Sequence, residues 1–288
     1  MTNSKPQQLG MPRRALAALG ALGAALALAT FPTAALAEIA KEVSNAEAPK
    51  HPWLSTQITR TGAVAYFTNL QSGDSVRSPF VAKFGLSHWN LAPAKFNVAR
   101  TGHHHLLIDK PLPIPPDTPI PFSDNYQHFG GGQMEAVLNL PPGRHTLRLL
   151  LANYEHVPFY VYSPELLVNV LDGPSNLPAN TGKARKLELL NLPANGVVTA
   201  PFKLQFHASG VNVASARSKN PATGHFVLKF IRPGKVETIE FNNGATEDWF
   251  SPPPGDYRLE LSLVKNGNAP EVIARTEATI QVVDHQNK

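Results

Sequence analysis

The chain contains an internal repeat, and this repeat restricts its possible folds more than any other feature. Residues of a first copy recur in a second copy 122 positions later, and towards the end of each copy the separation becomes 112. Matching runs include Thr101-Gly102-His103 with Thr223-Gly224-His225, and Pro141-Pro142-Gly143 with Pro253-Pro254-Gly255. Two constant separations over such spans indicate a tandem duplication of one structural unit.

The change in separation falls within a single loop. The first copy contains PLPIPPDTPIPFSDNYQ at residues 111–127, and the second copy is ten residues shorter in this region. Insertions and deletions are tolerated in surface loops rather than in packed strands. The second copy has therefore shortened this loop.

Alternating leucines near the end of each copy predict strands with one buried face. They are Leu147, Leu149 and Leu151 in the first copy, and Leu259, Leu261 and Leu263 in the second. The 27 prolines and 20 glycines interrupt the chain at close intervals, which suits short strands joined by turns better than long helices. We predict an all-β protein with two tandem immunoglobulin-like β-sandwich domains.

The N-terminal residues predict a secretory signal peptide. Arg13 and Arg14 precede an Ala- and Leu-rich run, and Ala35-Leu36-Ala37 provides the small residues of a cleavage site. We assign residues 1–37 to the signal peptide and 38–57 to an N-terminal lead. The first domain then spans 58–172, a linker 173–183 and the second domain 184–288. This organisation predicts a periplasmic or secreted protein.

Composition excludes several functions. Lys5, Arg13 and Arg14 are three of the 26 basic residues, so 23 basic residues face 21 acidic residues beyond position 37. This balance offers no electrostatic basis for binding nucleic acid. No later segment is apolar enough to predict a membrane span in the mature protein. The chain has no cysteine, so it forms no disulfide and any metal site has to do without thiolate.

The sequence RTGHHHLLIDK at residues 100–110 raises the question of whether its histidines bind or pack. The second copy serves as an internal comparison. His104 corresponds to Phe226, which predicts that His104 lies on the buried face as a hydrogen-bonded core residue. His103 corresponds to His225, so it belongs either to a shared structural feature or to a binding site.

Three histidines have no counterpart in the second copy. His105 corresponds to Val227, His128 to Glu240 and His156 to Asn268. On a strand, His103 and His105 point to the same side. We predict that His103, His105, His128 and His156 form a metal site for one Zn or Cu ion. Asp109 and Glu135 are the carboxylates expected to support these ligands.

The first copy also resembles a known family. The motifs are TGHHHLLID at 101–109, DTPIP at 117–121, HFGGGQME at 128–135, LPPGRHTLRL at 140–149 and HVP at 156–158. Over residues 62–172 they resemble domain-of-unknown-function family 4399, with the second copy a degenerate relative. The resemblance implies a small exported β-domain in which His103, His104, His105, Asp109, His128 and His156 occupy motif positions.

Two other functions compete with metal binding. One is a non-catalytic recognition or structural module that binds an envelope glycan, peptide or protein. The other is a hydrolytic metalloenzyme with Glu135 or Asp124 as general base. The chain has no Gly-x-Ser-x-Gly elbow, no His-Glu-x-x-His motif and no cysteine nucleophile. We therefore predict a binding protein rather than an enzyme.

Overall fold

A computed structural model describes residues 51–54, 62–112 and 117–284. The predicted signal peptide and most of the predicted N-terminal lead lie outside the described residues. Within these ranges the chain forms eighteen strands and a short 3-10 helix at Ala216–Ser218. This confirms the predicted all-β class.

The first copy forms ten strands in two sheets. The strands are β1 (Val64–Phe67), β2 (Asp74–Arg77), β3 (Phe80–Ser87), β4 (Asn90–Leu91), β5 (Thr101–Ile108), β6 (Tyr126–Phe129), β7 (Glu135–Leu138), β8 (Gly143–Ala152), β9 (Pro158–Tyr162) and β10 (Leu166–Leu171). The small sheet has the order β1-β3-β7, and the large sheet has the order β2-β10-β8-β5-β4. In addition, β6 pairs with β5 and β9 pairs with β8.

The second copy repeats this plan with eight strands. They are β11 (Lys186–Leu189), β12 (Val197–Thr199), β13 (Phe202–Ser209), β14 (Gly224–Arg232), β15 (Lys235–Glu240), β16 (Glu247–Phe250), β17 (Gly255–Lys265) and β18 (Val272–Val283). The small sheet has the order β11-β13-β16 and the large sheet β12-β18-β17-β14-β15. Strand β13 starts and ends 122 residues after β3, and β16 does so 112 residues after β7.

The two sheets of each copy enclose an apolar core. The alternating leucines of β8 and β17 are fully buried, as their spacing predicts. Phe84 of the small sheet and its equivalent Phe206 are also fully buried or nearly so. The cores of the two copies join in one continuous cluster. The chain is a pair of tandem immunoglobulin-like β-sandwiches whose cores meet.

Several residues shared by the copies have the same structural task in each. The Asn69 side chain donates to Val81 O and accepts from Lys83 N, and Asn191 makes the corresponding bonds in the second copy. His145 Nε2 lies 2.9 Å from Pro141 O, and Tyr257 Oη donates to Pro253 O at 2.7 Å. His145 is therefore the first copy's form of a tyrosine corner.

The copies meet through an approximate twofold arrangement. Leu91 N donates to Gly244 O at 2.9 Å, and the equivalent Val213 N donates to Gly132 O at 2.8 Å. Both glycines have positive φ, 96° at Gly132 and 86° at Gly244. An added Cβ would lie 2.2 Å from Val213 O or 2.4 Å from Leu91 O. Only glycine permits this close approach of the two backbones.

Two equivalent glutamates cross this interface. Ser87 Oγ donates to Glu247 Oε1 at 2.6 Å, and Ser209 Oγ donates to Glu135 Oε2 at 2.8 Å. Glu247 has more polar partners than Glu135. It also forms an ion pair with Lys203 and accepts hydrogen bonds from Tyr66 and Gln205. The residue equivalent to Lys203 in the first copy is Val81, so Glu135 has no matching lysine.

The residues before the first copy pack on the second copy. Trp53 is 8% exposed and contacts Phe230 and Tyr257 edge to face. Its carbonyl accepts from Ser251 N at 2.7 Å, and Leu54 forms an isolated bridge with Phe250. The described part of the N-terminal lead thus extends the small sheet of the second copy. In the parts of the chain that the structure describes, no helix is long and apolar enough to span a membrane.

The interface predicts an unequal response to loss of its two glutamates. We expect Glu247→Leu to lower the free energy of unfolding by about 3 kcal/mol, because it leaves Lys203 and several buried donors without their acceptor. Glu135→Leu should cost only about 1–2 kcal/mol, since only His207 and Ser209 lose their partner. Urea denaturation of both variants at pH 7 measures the difference. Equal losses would contradict this account of the interface.

Candidate metal centre

Strand β5 carries two of the predicted ligands on its outer side. His103 lies opposite Ala152 of β8, while His105 lies opposite Leu150. Both histidines are fully buried, although they face away from the sandwich core. Gly102 is the second residue of the strand, and a Cβ added there would lie 2.6 Å from Ala152 O. The Thr-Gly-His motif therefore marks a close approach of two strands.

His128 enters the site from β6. It lies directly opposite His105 in the antiparallel β5–β6 pair, which places the two side chains on the same face. Gly130 leaves room for its ring, because a Cβ there would lie 2.2 Å from His128 Cε1. The run of three glycines is a turn that allows this approach, and it forms no phosphate loop.

His156 is presented by a tight turn between β8 and β9. Its φ of 67° lies in the left-handed region, which is uncommon for a residue with a side chain. The Asn153 side chain accepts from Glu155 N and Val157 N, both at 2.9 Å, and so holds the turn. His156 O in turn accepts from Ile120 N at 2.9 Å.

These four residues form one group, which we call the histidine cluster (His103, His105, His128 and His156). The Nε2 atoms of His103 and His105 lie 3.1 Å apart, and those of His128 and His156 lie 3.2 Å apart. Ring centroids of His103 and His128 are 4.8 Å apart. His103, His128 and His156 each offer one nitrogen, and these atoms lie within 4.8 Å of one another. This group has the geometry to hold a metal ion, with His105 beside it.

A loop present only in the first copy covers the cluster. Residues 117–124, the covering loop, place Ile120 in a small apolar cluster with Leu107, Leu150 and Ala152. Phe122 of the same loop is 61% exposed, and its ring lies 5.0 Å from those of His128 and His156 and 6.3 Å from that of His105. The ten residues that the second copy lacks belong to this region.

The second copy has a polar surface at the same place. Leu107 corresponds to Lys229, and Leu150 corresponds to Ser262. Lys229 Nζ pairs with Glu260 at 3.1 Å. His225, the equivalent of His103, instead pairs its Nδ1 with Asn266 Oδ1 at 2.7 Å. The shared histidine is thus a structural residue in the second copy and a member of the cluster in the first.

The cluster favours uncharged imidazoles. Burial, assisted by the neighbouring histidines, lowers the pKa of His103 to about 3 and that of His105 to about 2. Burial and His156 also lower the pKa of His128. Neutral imidazole is the form that binds metal, so these rings are ready to coordinate without first losing a proton.

The two carboxylates predicted to support the ligands lie elsewhere, and that prediction needs correction. Asp109 accepts from Thr146 N at 2.8 Å and pairs with His145 Nδ1 at 2.7 Å. Glu135 pairs with His207 of the second copy at 3.0 Å. Asp109 follows β5 in a left-handed conformation, with φ of 54°, so its side chain does not continue the alternation of the strand.

His104 packs in the core as predicted, but its predicted hydrogen bonds are missing. It is 1% exposed, and its ring lies 5.4 Å from Phe84. Among the described residues neither of its ring nitrogens has a hydrogen-bond partner. Burial lowers the pKa of His104 to about 3. In the second copy Phe226 makes the same contact with Phe206 at 5.3 Å.

Sequence reasoning identified the cluster but not its supports. Phe122, Ile120 and Asn153 shape the site, and none of them carries chemistry that marks it as functional. The covering loop could have identified Phe122 and Ile120 in advance, because its extra residues occur in the copy that has the histidines. The predicted bases Glu135 and Asp124 do not belong to the metal-holding group of His103, His128 and His156.

His104 generates a stability prediction. His104→Phe should stabilise the protein, because it removes two unpaired buried nitrogens and the second copy accepts phenylalanine between equivalent neighbours. His104→Ala should destabilise it by about 1–3 kcal/mol through lost packing. In the wild type the unfolded histidine gains a proton below pH 6.5 while the folded one stays neutral, so stability falls with falling pH. At pH 5 this costs about 2 kcal/mol.

Urea denaturation with a chelator, at pH 7 and pH 5, measures both effects. Between these pH values His104→Phe should lose about 2 kcal/mol less than the wild type. An unchanged pH dependence in this variant would show that His104 is already protonated or paired in the folded protein.

Comparisons with known proteins agree with the repeat. The family described as Domain of unknown function (DUF4399) matches the chain twice, over residues 82–171 and 204–283. The first match contains the histidine cluster, and the second contains the copy without it. No curated protein sequence matches the chain.

Solved structures show only distant likeness. The fibronectin(III)-like modules of Clostridium thermocellum CbhA are 10% identical over 76% of this chain and 93% of theirs, with a TM-score of 0.24. The FN1-FN3 domains of chicken CNTN1 are 8% identical over 74% and 64%, with a TM-score of 0.21. Bacteroides ovatus SGBP-B, in complex with a mixed-linkage heptasaccharide, is 13% identical over 76% and 47%, with a TM-score of 0.20. These likenesses carry no information about the histidine cluster.

Proposed function

The chain belongs to the family described as Domain of unknown function (DUF4399), and we propose that its first copy binds one divalent transition-metal ion through the histidine cluster. One observation carries the proposal: four histidines from two strands and one turn converge in the copy that also has the covering loop. The two hydrogen-bond-length contacts between ring nitrogens show how closely they converge. A metal ion would replace these contacts.

The chemistry of the cluster favours Zn²⁺ or Cu²⁺. Imidazole nitrogen suits both ions, and three ligands with one further position make a common coordination set for zinc. The compact trio His103, His128 and His156 would supply the three ligands, and His105 would supply a fourth or orient His103. The burial of the cluster also supports the proposal, because an unliganded set of buried imidazole nitrogens is costly.

The proposal includes export. The predicted signal peptide at residues 1–37 would direct the protein to the periplasm or outside the cell, where a site without cysteine is insensitive to oxidation. We propose that the protein binds its ion without catalysing a reaction. Support comes from the two predicted general bases, because Glu135 is hydrogen-bonded to His207 and neither Glu135 nor Asp124 belongs to the metal-holding group.

Metal titration of single variants tests the site. His128→Gln and His156→Asn should each weaken Zn²⁺ or Cu²⁺ binding by at least about tenfold, because each removes one ligand from the trio. His105→Val, which introduces the residue of the second copy, should have a smaller effect. Isothermal titration of untagged protein, with bound metal quantified by mass spectrometry, gives the affinity and stoichiometry.

His145→Tyr is the matched control, because it removes a histidine of the same copy and introduces the residue that the second copy uses at its corner. Its affinity should equal that of the wild type, near one ion per chain. Metal binding that survives the triple loss of His103, His128 and His156 would contradict the proposed site.

A second candidate function is recognition of an envelope glycan or peptide, and strand β9 favours it. Tyr160 is 76% exposed and Tyr162 is 41% exposed, two residues apart on one side of a strand that the described second copy lacks. Exposed tyrosines often form the contact surface of binding sites. Glycan-array binding in the presence of a chelator, lost in Tyr160→Ala and kept in His128→Gln, would support this function over metal binding.

A further inference from the structure

We propose that the metal-loaded cluster also binds one small anion, on the side that Phe122 covers. This inference rests on the proposed metal function and names the additional ligand that the loaded site would take. The ligand class is a compact anion that coordinates through one atom, such as hydroxide, a halide, azide or a simple carboxylate. Three observations support it: the charge of the ligand set, the position of the acidic residues, and the covering aromatic ring.

The first observation is that the ligands carry no charge. Every group that faces the proposed ion is an imidazole, and His103 and His105 are fully buried. A divalent ion bound by neutral ligands keeps its two positive charges. Holding such a charge in a poorly solvated site is costly unless an anion accompanies it.

The second observation is that, among the described residues, the group that would hold the ion contains no carboxylate. Asp109 is committed to His145 and Thr146, and Glu135 is committed to His207 in the second copy. Glu155, which precedes His156 in the sequence, is exposed, and so are Asp117 and Asp124 of the covering loop. The compensating charge therefore has to come from solution.

The third observation locates the open side of the cluster. His103 and His105 are covered by the strands and by the apolar cluster around Ile120, whereas His128 and His156 are half-buried. Phe122 lies over these half-buried rings, 5.0 Å from each, and is largely exposed. Its ring has no atom that can coordinate a metal. A ligand that enters beside Phe122 would meet the ion without displacing a histidine.

Apolar surroundings also limit the size of the anion. Phe122 and Ile120 belong to one short loop, and Ile120 N is bonded to His156 O, so the loop is tied to the cluster. A compact anion fits beside a tied loop more readily than a bulky one. An anion in such a partly desolvated place also interacts more strongly with the ion than it would in water.

The experiment uses the full mature chain loaded with Cu²⁺ and titrated with azide. Copper content is measured first, by mass spectrometry, and should be near one ion per chain. Azide should then produce a saturable charge-transfer band in the near ultraviolet, together with a change in the copper electron paramagnetic resonance spectrum. Failure to load copper overturns both the metal function and this inference. Loading without an azide response overturns this inference alone.

A pair of variants tests the location of the anion. Phe122→Glu would place a carboxylate over the open side, so it should weaken azide binding by at least about tenfold and strengthen copper binding. Phe122→Gln has nearly the same shape without the charge, and it should retain the azide response. Equal azide affinity in the two variants would show that the anion does not bind beneath residue 122.

Discussion

The structure depends on the burial of strand β5 on both of its faces. All eight residues from Thr101 to Ile108 are buried, because the sandwich core covers one face and the covering loop closes over the other. Most strands of this fold bury one face and expose the second. Double burial brings two adjacent histidines into contrasting surroundings: His104 packs against Phe84, while His105 meets three other imidazoles. The candidate site exists because the covering loop shields the histidine-bearing face of β5 from solvent.

Much of the arrangement around β5 could be predicted from the sequence. Alternation placed His104 inward and His103 and His105 outward, and comparison with the second copy singled out His128 and His156. Their convergence depends on local features that alternation cannot describe. His156 lies in a left-handed turn held by Asn153, and Asp109, which follows β5, is also left-handed, so strand alternation does not set the direction of its side chain. Hydrogen-bond partners such as His145 for Asp109 come from tertiary structure.

The structure also shows how the two copies contact each other, which the repeat in the sequence does not predict. Duplication predicts two similar domains, and it says nothing about how they touch. In the structure, equivalent residues meet across an approximate twofold axis, as in the self-complementary interface of a symmetric dimer. Symmetry is then broken at single positions. Glu247 pairs with Lys203, whereas the first copy has Val81 at the position of that lysine, and one copy has an enclosed histidine cluster where the other has an ion pair between Lys229 and Glu260. The second copy thus has the same scaffold without the histidine cluster.

The packing of Trp53 gives the chain an order of assembly. This residue precedes the first copy, yet it contacts Phe230 and Tyr257, and the next residue, Leu54, bridges Phe250. A chain synthesised from its N-terminus presents Trp53 long before these partners exist. The first sandwich can close in the meantime, since its own strands are complete by Leu171. Residues 51–54 therefore make their final contacts only after the second sandwich has formed. These contacts then join the start of the described chain to its last domain.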